Sequence, residues 1–201
     1  MKVIGIIPCR YGSSRLPGKA LADIHGKPMM WHVYQQSKKS PMLGEVYIAT
    51  DDERIAETCK KLDLNYLITS IHHLTGTDRV AECVNVIDAD IYVNIQGDEP
   101  MIEPMAISEV VDALKCNDSE NIMAANAYVP MENPSDVIDT NNVKVVLKAD
   151  GTALVYSRSP IPYPKGAETH YLRQLGLYAF KKNGLKRFAE HKPGPLEQSE
   201  N

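Results

Sequence analysis

Val3-Ile4-Gly5-Ile6-Ile7 runs directly into Pro8-Cys9-Arg10-Tyr11-Gly12-Ser13-Ser14-Arg15-Leu16-Pro17-Gly18-Lys19. Residues 2–7 are mostly β-branched and barely alternate in polarity, as expected of a parallel strand buried on both faces. The segment after them holds three cations and two glycines. In an open α/β sheet, ligands lie beyond the carboxyl ends of the strands, so this loop is a candidate site for an anionic ligand.

The chain continues in the same rhythm. "KPMMWHVYQQSKKS" carries apolar residues at helical spacing, with Pro28 expected at the first helical position. "EVYIAT" predicts a second strand, "DDERIAETCKKL" a helix with an acidic first turn, and "NYLIT" a third strand. A polar loop, "SIHHLTG", leads to a helix over "TDRVAECVNVI" with Thr77 as its expected cap. "IYVNI" is a fourth strand, ending in the loop "QGDEPM". Alternating strands and helices predict an open, mainly parallel α/β sheet. From about residue 121 the segments "NIMAANAYV", "NVKVVLK", "ALVYSR" and "LGLYAF" are strand-like, a strand-rich C-terminal extension. No hard linker intervenes, so a single domain over 1–201 is expected.

Bulk properties narrow the function. With 201 residues, a net charge of −4 and a pI near 5.9, the chain does not present a nucleic-acid-coating surface. No apolar run reaches the roughly 20 residues of a membrane span, and "MKVIGIIP" is broken too early by proline to read as a signal peptide. Cys9, Cys59, Cys83 and Cys116 are widely spaced without a C-x-x-C pair, which favours idle thiols in a reducing compartment over zinc or disulfides.

Two loops carry the chemistry. Between Gly12 and Gly18 stand five residues, and Lys19 is followed by Ala20, so the P-loop pattern is absent; so is G-x-G-x-x-G. What remains is a loop with backbone N–H groups at Gly12, Ser13 and Ser14 and cations at Arg10, Arg15 and Lys19, able to offset much of a triphosphate's charge. The alternative is a solvated loop whose charges confer solubility. The second loop, "NIQGDEPMI", puts Asp98 and Glu99 just after a buried strand, where a carboxylate suits a cation such as the Mg²⁺ that accompanies a triphosphate. Gly97-Asp98 is equally good turn chemistry.

In order along the chain, "IIPCRYGSSRLPGKAL", "ATDD", "TGTDRVAE", "VNIQGDEPMI", "NVKVVL" and "YSRSPIPY" resemble the 3-deoxy-manno-octulosonate cytidylyltransferases. The resemblance covers essentially the whole chain, and the QGDEP loop is its most specific part. It implies a Rossmann-like nucleotidyltransferase fold, usually dimeric, that joins CTP to the acidic eight-carbon sugar Kdo and releases pyrophosphate. It implies triphosphate contacts at Arg10, Ser13, Arg15 and Lys19, with Arg10, Arg15, Lys19 and Asp98 as the catalytic set and Asp98 as the Mg²⁺ ligand. Backbone groups around Pro8 and Cys9, with Arg79, fall where it implies cytosine and ribose contacts. Gln96, Arg158 and Gln174 fall on the sugar side. The setting implied is cytoplasmic, supplying lipopolysaccharide or capsule.

Two departures qualify the resemblance. Gln174 in "YLRQLGLYAF" stands where the family commonly has a sugar-contacting histidine, which admits a related 3-deoxy-ulosonic acid as acceptor. The chain ends at "PLEQSEN", where the family continues to a "DTPEDL"-like segment with a second metal-binding aspartate, so a C-terminal truncation is expected. The rival reading is accordingly a nucleotide-binding relative without catalysis. His72-His73 read as idle, Asp51-Asp52 as macrodipole partners of a helix, and Met29, Met30 and Trp31 as sheet packing. Glu197 and Gln198 match a family helix near the sugar.

Overall fold

The computed structural model describes all residues except 13–15, 118, 120, 167, 168 and 201. The chain divides into two compact units, Met1–Ala125 with Gly176–His191, and Asn126–Leu175 with Lys192–Asn201. Strand β1 (Val3–Cys9) is followed by a 3-10 turn at Lys19–Leu21, the small hairpin β2 (Asp23–Ile24) and β3 (Lys27–Pro28), and helix α1 (Met29–Ser37). Then come β4 (Glu45–Thr50), α2 (Glu53–Lys61), β5 (Tyr66–Ile68), α3 (Gly76–Cys83), β6 (Ile91–Asn94) and α4 (Pro104–Lys115). Later elements are β7 (Ala124–Met131), α5 (Pro134–Ile138), β8 (Lys144–Leu147), β9 (Ala153–Ser157), β10 (Tyr171–Lys181), α6 (Lys182–Glu190) and α7 (Pro195–Glu200).

In the first unit the strands run β5-β4-β1-β6, all parallel, with the C-terminal half of β10 antiparallel on β6. Gly5 stands between Val46 on one side and Val93 on the other. The chain builds outward from β1 to β5 and then returns to lay β6 on β1's opposite edge. With right-handed crossovers, that reversal sends α3 to the face opposite α1 and creates a switch point between β1 and β6. Ile4, Ile6 and Tyr92 of the sheet are fully buried and pack with Val80 and Cys83 of α3, its C-cap Val84 and Leu185 of α6. Each such aliphatic side chain contributes about 1.5–3 kcal/mol by leaving water. The Tyr92 hydroxyl inside this core is satisfied, donating to Ile87 O at 2.6 Å and accepting from Ala89 N at 3.0 Å.

In the second unit β8 and β9 form an antiparallel hairpin with a register shift at Val146/Leu147, and β8 pairs with β10 at Lys144 and Arg173. Strand β7 also pairs with β10, and Asn126 Nδ2 donates to Leu175 O at 2.8 Å. Lys144 is fully buried; its ammonium donates to the carbonyls of Asn142 at 2.7 Å and Asp139 at 3.1 Å.

The mainly parallel sheet and the strand-rich C-terminal part agree with the sequence reading. Three local points differ. The cap of α3 is Thr75, not Thr77: Thr75 Oγ1 accepts from Asp78 N, and the Asp78 carboxylate accepts from Thr75 N, a reciprocal capping box. Thr77 instead accepts from Asn94 Nδ2 at 3.1 Å. Pro28 caps α1 in an extended conformation, one residue before the helix begins. The sequence reading also assigns no helix to 104–115 or 182–190, where α4 and α6 lie.

Candidate nucleotide site

The switch point sets what faces outward. Leaving β1, the chain presents Pro8, Cys9 and Arg10; leaving β6, it presents Gln96, Gly97 and Asp98. These two loops touch at Gly97, where an added Cβ would stand 3.0 Å from Pro8 O and 3.0 Å from Cys9 Sγ. A side chain there would force Pro8 O or Cys9 Sγ to give by a few tenths of an ångström, and Pro8 O is backbone that yields little. Around the contact opens a cavity of about 380 Å³ lined by Pro8, Cys9, Arg10, Leu16, Lys19, Ala20, Gln96, Gly97 and Asp98.

The basic loop is folded back on itself. Gly18 N donates to Tyr11 O at 2.8 Å, and Lys19 begins the short 3-10 turn that follows. The Tyr11 ring lies under the Arg54 guanidinium, 3.2 Å from carbon to ring centroid. Arg54 in turn holds both carboxylate oxygens of Asp52, the cap of α2, at 2.9 and 2.6 Å. That fork keeps the Asp52 carboxyl below the usual carboxylate range. The loop is therefore moored to α2 through an aromatic side chain.

Within the cavity Lys19 Nζ meets Asp98 Oδ2 at 2.5 Å, with 35% and 43% of the two side chains exposed. A cation and an anion thus stand together at the mouth, both within reach of a solute. Cys9 is 2% exposed and its thiol is pushed far up, first by burial. It stays protonated, so what it offers the cavity is backbone. Ser13 and Arg15 lie outside the described residues.

A smaller cavity of about 150 Å³ adjoins this one, sharing Pro8, Arg10 and Gln96 and adding His73, Leu74, Thr75, Gly76 and Arg79. Arg79 is 3% exposed; its guanidinium pairs with Asp51 at 3.0 Å and donates to Thr69 Oγ1. Its charge is matched by Asp51, and it is one of the residues lining the cavity. Beside the pair of cavities, Gly176 of β10 lies so near that its Cβ would stand 2.6 Å from Gln96 Cγ. The absent side chain leaves room for Gln96 to lie across the strand.

Arg158 and Gln174 belong to the second unit. Arg158 donates from Nε to Glu200 O at 2.8 Å and from Nη1 to Thr140 O at 2.9 Å, while its backbone N–H meets the Glu200 carboxylate. It borders a cavity of about 540 Å³ with Val143, Leu154, Tyr156, Leu196, Glu197 and Glu200. Gln174 is half-buried; its side-chain amide donates to Leu175 O and its backbone N–H to Val143 O.

Among the described residues no group of three His, Cys, Asp or Glu side chains converges on a point. Magnesium does not need one: it keeps several waters and is commonly held by one or two carboxylates plus substrate phosphates. The exposed Asp98 carboxylate, beside a cavity lined by cations, fits that donor set. His73, Leu74, Thr75 and Gly76 are cavity residues that sequence reasoning did not place. The T-x-x-D box at Thr75 and Asp78 was the available signal.

Cations and one carboxylate at the switch point of a parallel sheet define a nucleotide-handling α/β protein. The profile of the Cytidylyltransferase family matches residues 4–201, and the chain belongs to that family. Among its relatives is the 3-deoxy-manno-octulosonate cytidylyltransferase of Lawsonia intracellularis, 44% identical over 98% of this chain and 78% of the relative. The Escherichia coli protein of the same name is 38% identical over 99% of this chain and 80% of its own length. A solved CMP:2-keto-3-deoxy-manno-octonic acid synthetase complexed with CTP superimposes with a TM-score of 0.93 and 38% identity, covering 100% of this chain and 82% of that one. A cytidylyltransferase structure from Leptospira borgpetersenii, 20% identical with a TM-score of 0.62 over 99% of this chain and 69% of that one, shares the fold.

Proposed function

We propose that this chain transfers the CMP moiety of CTP to 3-deoxy-manno-octulosonate and releases pyrophosphate. The observation that carries this reading is the Lys19–Asp98 pair at the mouth of the switch-point cavity, in a chain 38% and 44% identical to cytidylyltransferases so named. The sugar's anomeric hydroxyl attacks the α-phosphorus of CTP. A new P–O bond forms as the hydroxyl's proton passes to solvent and the bond to the bridging oxygen of the β-phosphate breaks, and pyrophosphate carries that electron pair away. Charge is the obstacle, because the attacked phosphorus is surrounded by anionic oxygens.

Arg10 and Lys19 border the cavity and would offset that charge on the triphosphate, with Ser13 and Arg15 as further contacts of the same loop. Asp98 would hold Mg²⁺, which when bound supplies positive charge against the phosphate oxygens. Pro8 and Arg79 border the smaller cavity and Cys9 the larger one beside it; backbone groups at Pro8 and Cys9, with Arg79, would meet the nucleoside. The family resemblance assigns Gln96, Arg158 and Gln174 to the sugar, Arg158 being suited to its carboxylate. Holding two anionic substrates in line supplies much of the remaining acceleration. A homodimer, a cytoplasmic setting and supply of lipopolysaccharide or capsule belong to the same reading and rest on family resemblance. No helix among the described residues is long and apolar enough to cross a membrane.

The test is pyrophosphate release from CTP and Mg²⁺ with Kdo and related ulosonic acids in parallel, since Gln174 replaces the family's histidine. Lys19→Met and Asp98→Asn should each lower kcat/KM by about 100-fold or more, the scale of losing one charge-stabilising group. CTP binding without release on any acid would reduce the chain to a nucleotide binder.

A further inference from the structure

The wall of the smaller cavity is formed by a loop, and the loop is held from behind. Residues 70–75 connect β5 to α3, and His73, Leu74 and Thr75 line the cavity. Glu82, near the end of α3, does not line it. Yet one oxygen of Glu82, Oε2, accepts from Ser70 N at 2.8 Å and from His73 Nε2 at 2.5 Å. The two donors stand at the start and the middle of the loop, so a single carboxylate draws both toward the helix. At its far end the loop is tied again by the box between Thr75 and Asp78. Leu74, 83% exposed, presents an apolar side chain between these anchors, suited to the flat face of a pyrimidine.

We propose that Glu82 is a positioning residue that, through His73 and the Ser70 amide, holds residues 70–75 as the wall against which the nucleoside half of CTP packs. This rests on the reading of the adjoining cavities as a CTP site. The latch is half-buried, with 20% of the His73 side chain and 33% of the Glu82 side chain exposed. Water competes for it only in part, and a hydrogen bond to a charged group is then among the stronger kinds. A loop freed from Glu82 would have to be ordered by the nucleotide, at the expense of affinity.

The experiment measures CTP affinity by calorimetry and steady-state kinetics on Glu82→Ala, Glu82→Gln and His73→Ala, with amide hydrogen exchange on the ligand-free proteins. Glu82→Ala and His73→Ala should weaken CTP binding about tenfold, the scale of one charge-assisted hydrogen bond. KM for CTP should rise with it, while kcat and KM for the sugar stay within about twofold. Glu82→Gln keeps an acceptor and should recover most of the affinity. Exchange at residues 70–75 should quicken in both alanine variants while the strands of the sheet keep their wild-type rates. Unchanged CTP affinity in His73→Ala, or a fall in kcat with KM unmoved, overturns the proposal even if Glu82→Ala fails to fold. Unchanged exchange in that variant overturns it as well. A wild-type chain that binds no CTP fails the reading of the site instead, a result separable from failure of the latch.

Discussion

Asp98 and Lys19 meet at 2.5 Å with much of each side chain in water. An exposed ion pair contributes about 0–1 kcal/mol to folding, so stability is a weak reason for placing it there. Lys19→Met and Asp98→Asn should accordingly leave Tm within about 4 °C of wild type, the equivalent of about 1 kcal/mol in a chain of this size. Gly97 behaves in the opposite way. A methyl group there would press on Pro8 O and Cys9 Sγ at 3.0 Å, and one of these is backbone. Gly97→Ala should part the two loops, lowering kcat/KM by more than about tenfold, because displacements of a fraction of an ångström at a reacting centre are costly. Kinetics alongside thermal melting would check both statements. The candidate residues at this scale were legible as residue types, cations in one loop and a carboxylate in the other. Residue types alone did not show that Lys19 and Asp98, 79 positions apart, pair directly; the family resemblance grouped them in one catalytic set.

Helix α3 is the element that serves the site most. Its first turn is closed by Thr75 and Asp78, its second carries Arg79 to Asp51, and its end carries Glu82 to the loop. One apolar face, with Val80, Cys83 and Val84, seals it to the sheet. Thr75→Ala removes the cap and should cost about 1 kcal/mol, a fall of about 2–4 °C in Tm, measurable by calorimetry. Thr77→Ala should cost less at the cap, since its hydroxyl faces Asn94. Sequence alone offered two threonines two residues apart. Only the one with an acidic residue three places later can form the reciprocal pair, and that spacing was the deciding clue. Helix α6 eluded the strand-weighted reading because that reading followed a change of rhythm from about residue 121 rather than periodicity; α4, which precedes the change, carries Ile107, Val110, Val111 and Leu114 at a helical spacing the reading did not use.

For the molecule as a whole, the two carboxylates that moor the site give a pH signature. Arg54 holds the Asp52 carboxyl below its ordinary value. Burial pushes Glu82 up, but hydrogen bonds from His73 and Ser70 outweigh it and leave its pKa lowered. A carboxyl with a folded pKa below its unfolded one contributes stability that is present above the unfolded pKa, near 4. That contribution is lost as pH falls through the folded value. Tm should therefore fall on acidification below about pH 4, and less steeply in the double variant Asp52→Asn/Glu82→Gln. Melting curves between pH 3 and 7 would check this; equal slopes for both proteins would refute the assignment.

Strand-helix alternation, the buried first strand and the polar loops at strand ends were all local in the chain, and local pattern is what residue order encodes directly. They established an α/β sheet with a cationic loop leaving the end of its first strand. Which strand neighbours β1 on its second edge was not local. That depended on packing α3 and α6 against one face, and it is what set the β6 loop beside the β1 loop. The cavity and the Lys19–Asp98 pair both follow from that adjacency. Each joins residues whose separation along the chain carries no signal of contact, and only burial of the apolar faces brings them within a hydrogen bond's reach.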